Sequence, residues 1–82
     1  LFYFFFYMNM NNINIINHIE KKVKEYQNNT GATKTWIAKQ MGYRSPQALD
    51  QAMKNNSNSL ETYARFAEFL HCKIDELYEI RY

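Results

Sequence analysis

The chain has 82 residues, 46% of them hydrophobic, and a formal net charge of +2. That length holds one small domain, and a domain of this size buries only about 60% of its unfolded surface, so its stability margin is thin. A single cysteine, Cys72, excludes an internal disulfide framework; an unpaired thiol suits a reducing, cytoplasmic setting, where Cys72 is expected to fill the core.

Leu1 to Tyr7 is an almost unbroken aromatic run. It is too short to span a bilayer, which takes about 20 apolar residues, and it lacks the positive region and small-residue cleavage site of a signal peptide. Residues 1–12 are therefore read as a leader outside the domain, residues 13–82 as the domain, and no membrane partner is expected. Asn9 to Asn17 should lead into a first helix whose inner face carries Ile16, Ile19, Val23 and Tyr26 at i, i+3, i+7 and i+10. Asn28-Asn29-Thr30-Gly31 should close it, because Asn and Gly accept the left-handed backbone that ends a helix.

Thr33 is placed to cap a second helix, Lys34 to Met41, with Ile37, Ala38 and Met41 inward. Gly42-Tyr43-Arg44 reads as a turn. Ser45 and Pro46 then open a third helix: serine accepts an orphan amide, and proline lacks the amide that has no partner there. Leu49, Ala52 and Met53 form its buried stripe, leaving Gln47, Asp50, Gln51 and Lys54 on the other side. After a polar loop, Asn58 or Ser59 should cap a fourth helix, buried along Leu60, Tyr63, Ala64, Phe66, Ala67 and Leu70. His71-Cys72-Lys73 leads to a last helix with Ile74, Leu77 and Tyr78 inward. Two glycines, one proline and little strand-like alternation after residue 12 predict an all-α fold, a compact five-helix bundle.

The charge is unevenly distributed. Residues 1–30 balance Lys21, Lys22 and Lys24 against Glu20 and Glu25. Residues 57–82 are net acidic. Residues 31–56 carry Lys34, Lys39, Arg44 and Lys54 against Asp50 alone. A basic middle on a balanced chain is the footprint of phosphate contact. Two short helices joined by a glycine-initiated turn, with small Ala38 at their crossing, form a helix-turn-helix pattern. Glutamine on the outer face of the third helix can bond bidentately to adenine in the major groove.

Thr33-Lys-Thr-Trp-Ile-Ala-Lys-Gln-Met-Gly-Tyr43, followed by Ser59-Leu-Glu-Thr-Tyr-Ala-Arg-Phe-Ala-Glu-Phe-Leu-His-Cys-Lys-Ile-Asp-Glu-Leu77, resembles the Cro and lambda-repressor type of helix-turn-helix domain, the XRE family. The likeness spans roughly residues 16–78. It implies a lambda repressor-like fold and sequence-specific binding of double-stranded DNA by a small regulator, a phage-type repressor or an antitoxin, with residues 45–54 in the major groove. The family's base-reading positions fall on Pro46, Gln47, Ala48 and Gln51. Of these, Gln47 and Gln51 would read by hydrogen bonds, and Ala48 would touch a thymine methyl. Lys34, Lys39, Arg44, Lys54, Asn55 and Asn56 would meet phosphates. Asp50 would face solvent or accept from cytosine. Lys34 stands where the family often has glutamine, Met53 where glutamate is common, and Phe69 where a small residue is usual. The stripe of the third helix begins one residue late.

Trp36 would stack on a DNA sugar or, more readily, pack partly against the first helix, and Tyr43 would enter the core. Phe69 would fill the core or form a dimer surface with Tyr78 and Tyr82. A homodimer and a toxin or other protein partner belong to the same expectation. No enzyme, cofactor or metal site is expected: His18, His71 and Cys72 match no zinc spacing, and no glycine-rich phosphate loop occurs. The alternative is a protein-interaction module on the same fold that does not bind DNA.

Overall fold

The computed structural model describes residues 14–81, which form four α-helices and a two-stranded antiparallel sheet. In chain order these are β1 (Asn14–Asn17), α1 (Ile19–Thr30), α2 (Lys34–Met41), α3 (Pro46–Lys54), α4 (Leu60–Leu70), a 3-10 turn (Ile74–Glu76) and β2 (Tyr78–Arg81). Local chemistry explains most helix ends. The amide oxygen of Asn17 accepts the Ile19 N–H at 2.8 Å and starts α1. Gly31, at φ +75°, closes α1 with its N–H on the Gln27 carbonyl. Thr33, Ser45 and Ser59 each accept a backbone N–H at the start of α2, α3 and α4. Of the two residues that could cap α4, Ser59 does so. Asn58 turns back instead and donates to the Ala52 carbonyl at 2.6 Å, satisfying the end of α3.

A fifth helix is expected from the sequence and does not form. Only Ile74–Glu76 coil, as one 3-10 turn held by the Lys73 N–H donating to the Glu76 carboxylate at 2.8 Å. Beyond Leu77 the alternating Tyr78-Glu79-Ile80-Arg81 extends as β2 and pairs with β1 in the register Asn14 with Arg81, Ile15 with Ile80, Ile16 with Glu79 and Asn17 with Tyr78. Ile16 therefore lies in a strand and not on the first helical face. The His18 N–H donating to the Leu77 carbonyl at 2.8 Å ties this ribbon to α1. The fold is thus mostly helical with a small sheet, and not all-α. The reading of residues 1–12 as a leader, and the share of Tyr82 in a dimer surface, lie outside the described residues.

The core is a single cluster: Ile19 and Val23 from α1, Ile37 and Ala38 from α2, Leu49 and Met53 from α3, Tyr63, Phe66 and Ala67 from α4, and Leu77. Tyr26, Met41, Ala52, Leu70, Ile74 and Tyr78 pack partly buried around it. Leu60 and Ala64 were expected in this cluster and are exposed, Leu60 to 67%. Leu60 is the first residue of α4 and borders an open groove beside Ile15, Tyr63 and Tyr78. Ala64 lies about 100° round the helix from Tyr63, past the edge of a stripe that runs from Phe66 through Leu70 and Tyr63 to Ala67. No helix among the described residues is long and apolar enough to cross a membrane.

Candidate nucleic-acid interface

The turn between α2 and α3 is built from its glycine outward. Gly42 has φ +83°, a left-handed angle that costs a side-chain-bearing residue energy. With that angle the Gly42 N–H reaches the Lys39 carbonyl at 3.2 Å and the Tyr43 N–H reaches the Ala38 carbonyl at 2.8 Å. These are the paired bonds that end a helix in a tight reversal. Tyr43 then turns inward and stacks on Phe66, ring centroids 6.2 Å apart. Ser45 is extended, and its hydroxyl accepts the Ala48 N–H at 3.2 Å, with Pro46 at the first helical position. The cap places α3 in the register read from the sequence.

That register decides what α3 shows. Leu49 and Met53, 0% and 3% exposed, anchor it in the core, each burial contributing about 1.5–3 kcal/mol. Gln47, Gln51 and Lys54 are exposed on the opposite face, at i, i+4 and i+7. At 1.5 Å per residue they run about 10 Å along the helix. Ala48 is half-buried at the edge of this face. Lys39 on α2 and Arg44 in the turn are exposed. Among the described residues Lys39, Arg44 and Lys54 enter no ion pair, whereas Lys22, Lys24, Lys34, Arg65 and Arg81 each have a carboxylate within 4.0 Å.

No family model matches the chain, and searches of curated proteins and of solved structures find no match. The resemblance to the XRE family therefore stands on the residues quoted for it.

Lys34, expected at a phosphate, and Asp50, expected to face solvent or a base, are paired with each other: the Asp50 Oδ1 lies 2.9 Å from the Lys34 Nζ, the two side chains being 31% and 45% exposed respectively. This oxygen has no solvent contact and no hydrogen bond of good angle, so the attraction is that of an off-axis charge pair. Nothing local in the sequence announces a pairing across 16 residues. Asn55 is also partly committed. Its carbonyl accepts from the Asn17 side chain at 2.8 Å and its amide oxygen accepts the Ser57 N–H at 2.9 Å, so its NH2 group is what it can offer a phosphate. Asn56 is exposed in the same loop. Asn17 is the scaffold residue that sequence reasoning missed, since its one amide both starts α1 and holds this loop.

The aromatic residues separate into two groups. Phe69 lies between Tyr26, at 5.2 Å, and Trp36, at 6.2 Å, and leaves Trp36 46% exposed. Tyr78 instead packs at a tilt against Tyr63, ring centroids 5.3 Å apart. Cys72 is half-buried; burial pushes its thiol up, the Glu76 carboxylate adds to that and Lys22 opposes it, so the reactive thiolate is disfavoured. Among the described residues no three His, Cys, Asp or Glu side chains gather as metal ligands would.

Proposed function

We propose that the chain binds double-stranded DNA sequence-specifically, as a small cytoplasmic transcriptional regulator, with α2 and α3 acting as a helix-turn-helix of the lambda repressor type. The observation that carries this reading is the face of α3, where Gln47, Gln51 and Lys54 stand exposed on a helix anchored by Leu49 and Met53. A major groove about 12 Å wide admits such a helix. Gln47 and Gln51 would bond base edges, and Ala48 would offer an apolar contact. Lys39, Arg44, Lys54 and the amides of Asn55 and Asn56 would fix the register on phosphates. A symmetric homodimer would read half-sites about 34 Å apart.

Selection of bound sequences from a random duplex pool tests the proposal and reports half-site symmetry. One enriched motif is expected, and Gln47→Ala should weaken binding to it by about 1–3 kcal/mol and relax preference at one base. An unenriched pool would refute the proposal. A second reading, a protein-interaction module that contacts a toxin or another protein, draws on the half-exposed Trp36 seated on Phe69 beside Tyr26. Substituting Trp36 separates the two, because it should spare duplex binding and abolish a protein contact made there.

A further inference from the structure

The pair Lys34–Asp50 joins the first residue of α2 to the middle of α3, and among the described residues no other ion pair links these helices. We infer that Lys34 is a positioning residue that locks α3 against α2 through Asp50, and that it keeps Asp50, not a DNA phosphate, as its partner when DNA is bound. This rests on the duplex-binding reading above.

Three observations support it. First, the Asp50 oxygen facing Lys34 has no contact with solvent. Drawing the ammonium away to a phosphate would leave that oxygen with neither water nor a cation, although the Asp50 side chain as a whole keeps 31% of its surface exposed. Second, Asp50 sits at the border of α3 between the buried Leu49 and Met53 and the outward Gln47, Gln51 and Lys54. An unmatched carboxylate there would stand at the rim of the DNA face and repel the backbone that Lys54 attracts. Third, the first turn of α2 holds no acid, while Lys34 places a cation at the positive end of the helix. The Asp50 carboxylate supplies the negative charge that α2 itself lacks. The pair thereby adds a polar tie to the hold that buried Leu49 and Met53 have on the rotation of α3, and so on the direction in which Gln47 and Gln51 point.

The test uses the full chain, with Lys34→Ala, Asp50→Asn and the double variant. Urea unfolding is followed by Trp36 fluorescence, and anisotropy titrations use the selected duplex over a range of salt. Lys34→Ala should weaken binding several-fold, and the log-log salt slope is read on the double variant, where no uncovered carboxylate repels the backbone and the parental slope should return. Adding Asp50→Asn should restore binding to within about threefold of the parent, because the exposed charge is gone. In urea the double variant should be less destabilised than the two single variants together. A phosphate contact predicts otherwise: the double variant stays as weak as the single and its slope stays flattened by about 0.9. That result would overturn the inference. If the parent chain binds no duplex, the duplex-binding reading falls and the urea cycle alone judges the lock, which additive effects would refute. Should a single variant fail to fold, Lys34→Met with Asp50→Leu keeps the side-chain volume without the charges. Recovered folding and binding in that pair would support the lock, and a flattened slope would refute it.

Discussion

Gly42→Ala isolates the geometry of the turn between α2 and α3. At φ +83° a methyl group meets nothing within 4 Å, so the substitution carries a torsional penalty and no steric one. Left-handed backbone costs a residue with a Cβ about 1–2 kcal/mol. Alanine returns about 0.4–1 kcal/mol by narrowing the unfolded ensemble, which leaves a net loss near 1 kcal/mol. In a domain this small that loss lowers the melting temperature by about 4–8 °C, readily seen by far-UV circular dichroism. Gly31 is the internal control, with φ +75° and equally open space. Gly31→Ala should melt at nearly the same temperature as Gly42→Ala. Only Gly42 sets the approach of α2 to α3, so only its variant should lose sequence-specific duplex binding beyond what the lower stability explains. A D-alanine at position 42, introduced by chemical synthesis, should restore or exceed parental stability. A Gly42→Ala protein that melts at or above the parent would refute the torsional reasoning. Parallel binding losses in the two variants would refute the positional one.

Other consequences are open to measurement. Leu49→Ala removes a fully buried anchor of α3 and should cost about 2–5 kcal/mol, whereas Leu60→Ser, at a residue 67% exposed, should stay within about 0.5 kcal/mol of the parent in urea unfolding. His71 closes α4 at φ 54°, with its N–H on the Glu68 carbonyl and the Cys72 N–H on Ala67. His71→Gly relieves that strain and should raise the melting temperature by a few degrees, corresponding to about 1 kcal/mol; a lower melting temperature would contradict the assignment of strain. Burial raises Tyr43 and Tyr63 above 10.0 and Cys72 above 9.0, with Arg65 opposing the shift at Tyr43. Each folded-state value lies above its unfolded one, so the contribution is complete below the unfolded pKa and is lost as pH climbs through the folded one. Stability should therefore decline from about pH 9 upward, first from Cys72 and then from the tyrosines. A rise between pH 9 and 11 would reverse the sign of this linkage.

The helices that would face DNA were the most legible part of the chain, because their ends are set by residues within three or four positions. Thr33, Gly42, Ser45 and Pro46 each act on neighbours through one hydroxyl, one backbone angle or one missing amide. The ribbon was not legible. Asn14–Asn17 and Tyr78–Arg81 are four residues each, too short for a period to declare itself, and their pairing spans most of the chain. The stripe of α4 was half legible: Tyr63, Phe66, Ala67 and Leu70 follow helical spacing, but extending it back to Leu60 assumed a neighbour at the first turn that the fold does not supply. At the candidate interface, Gln47 and Gln51 emerge exposed as their spacing implied. The partner of Asp50 could be found only once α2 and α3 were laid together.

Charge gives the last link between sequence and mechanism. Residues 31–56 carry an excess of three positive charges, and pairing decides which side chains hold it. Lys34 and Asp50 cancel, so the excess resides on Lys39, Arg44 and Lys54, each exposed and unpaired among the described residues. If these three neutralise one phosphate apiece, log affinity should fall with log salt at a slope of about 2.7 per protomer, against about 3.6 were Lys34 a fourth contact. Alanine at Lys39, Arg44 or Lys54 should flatten the slope by about 0.9 and weaken binding to all sequences alike. Alanine at Asn55 or Asn56 should weaken binding without moving the slope, since a neutral donor displaces no counterion. Titrations of the parent and these five variants at four or more salt concentrations, on the selected duplex and on a scrambled one, separate the two kinds of contact. A parental slope near 3.6, or a lysine variant whose loss is confined to the selected duplex, would break the argument at the step where pairing in the fold was taken to choose the phosphate ligands.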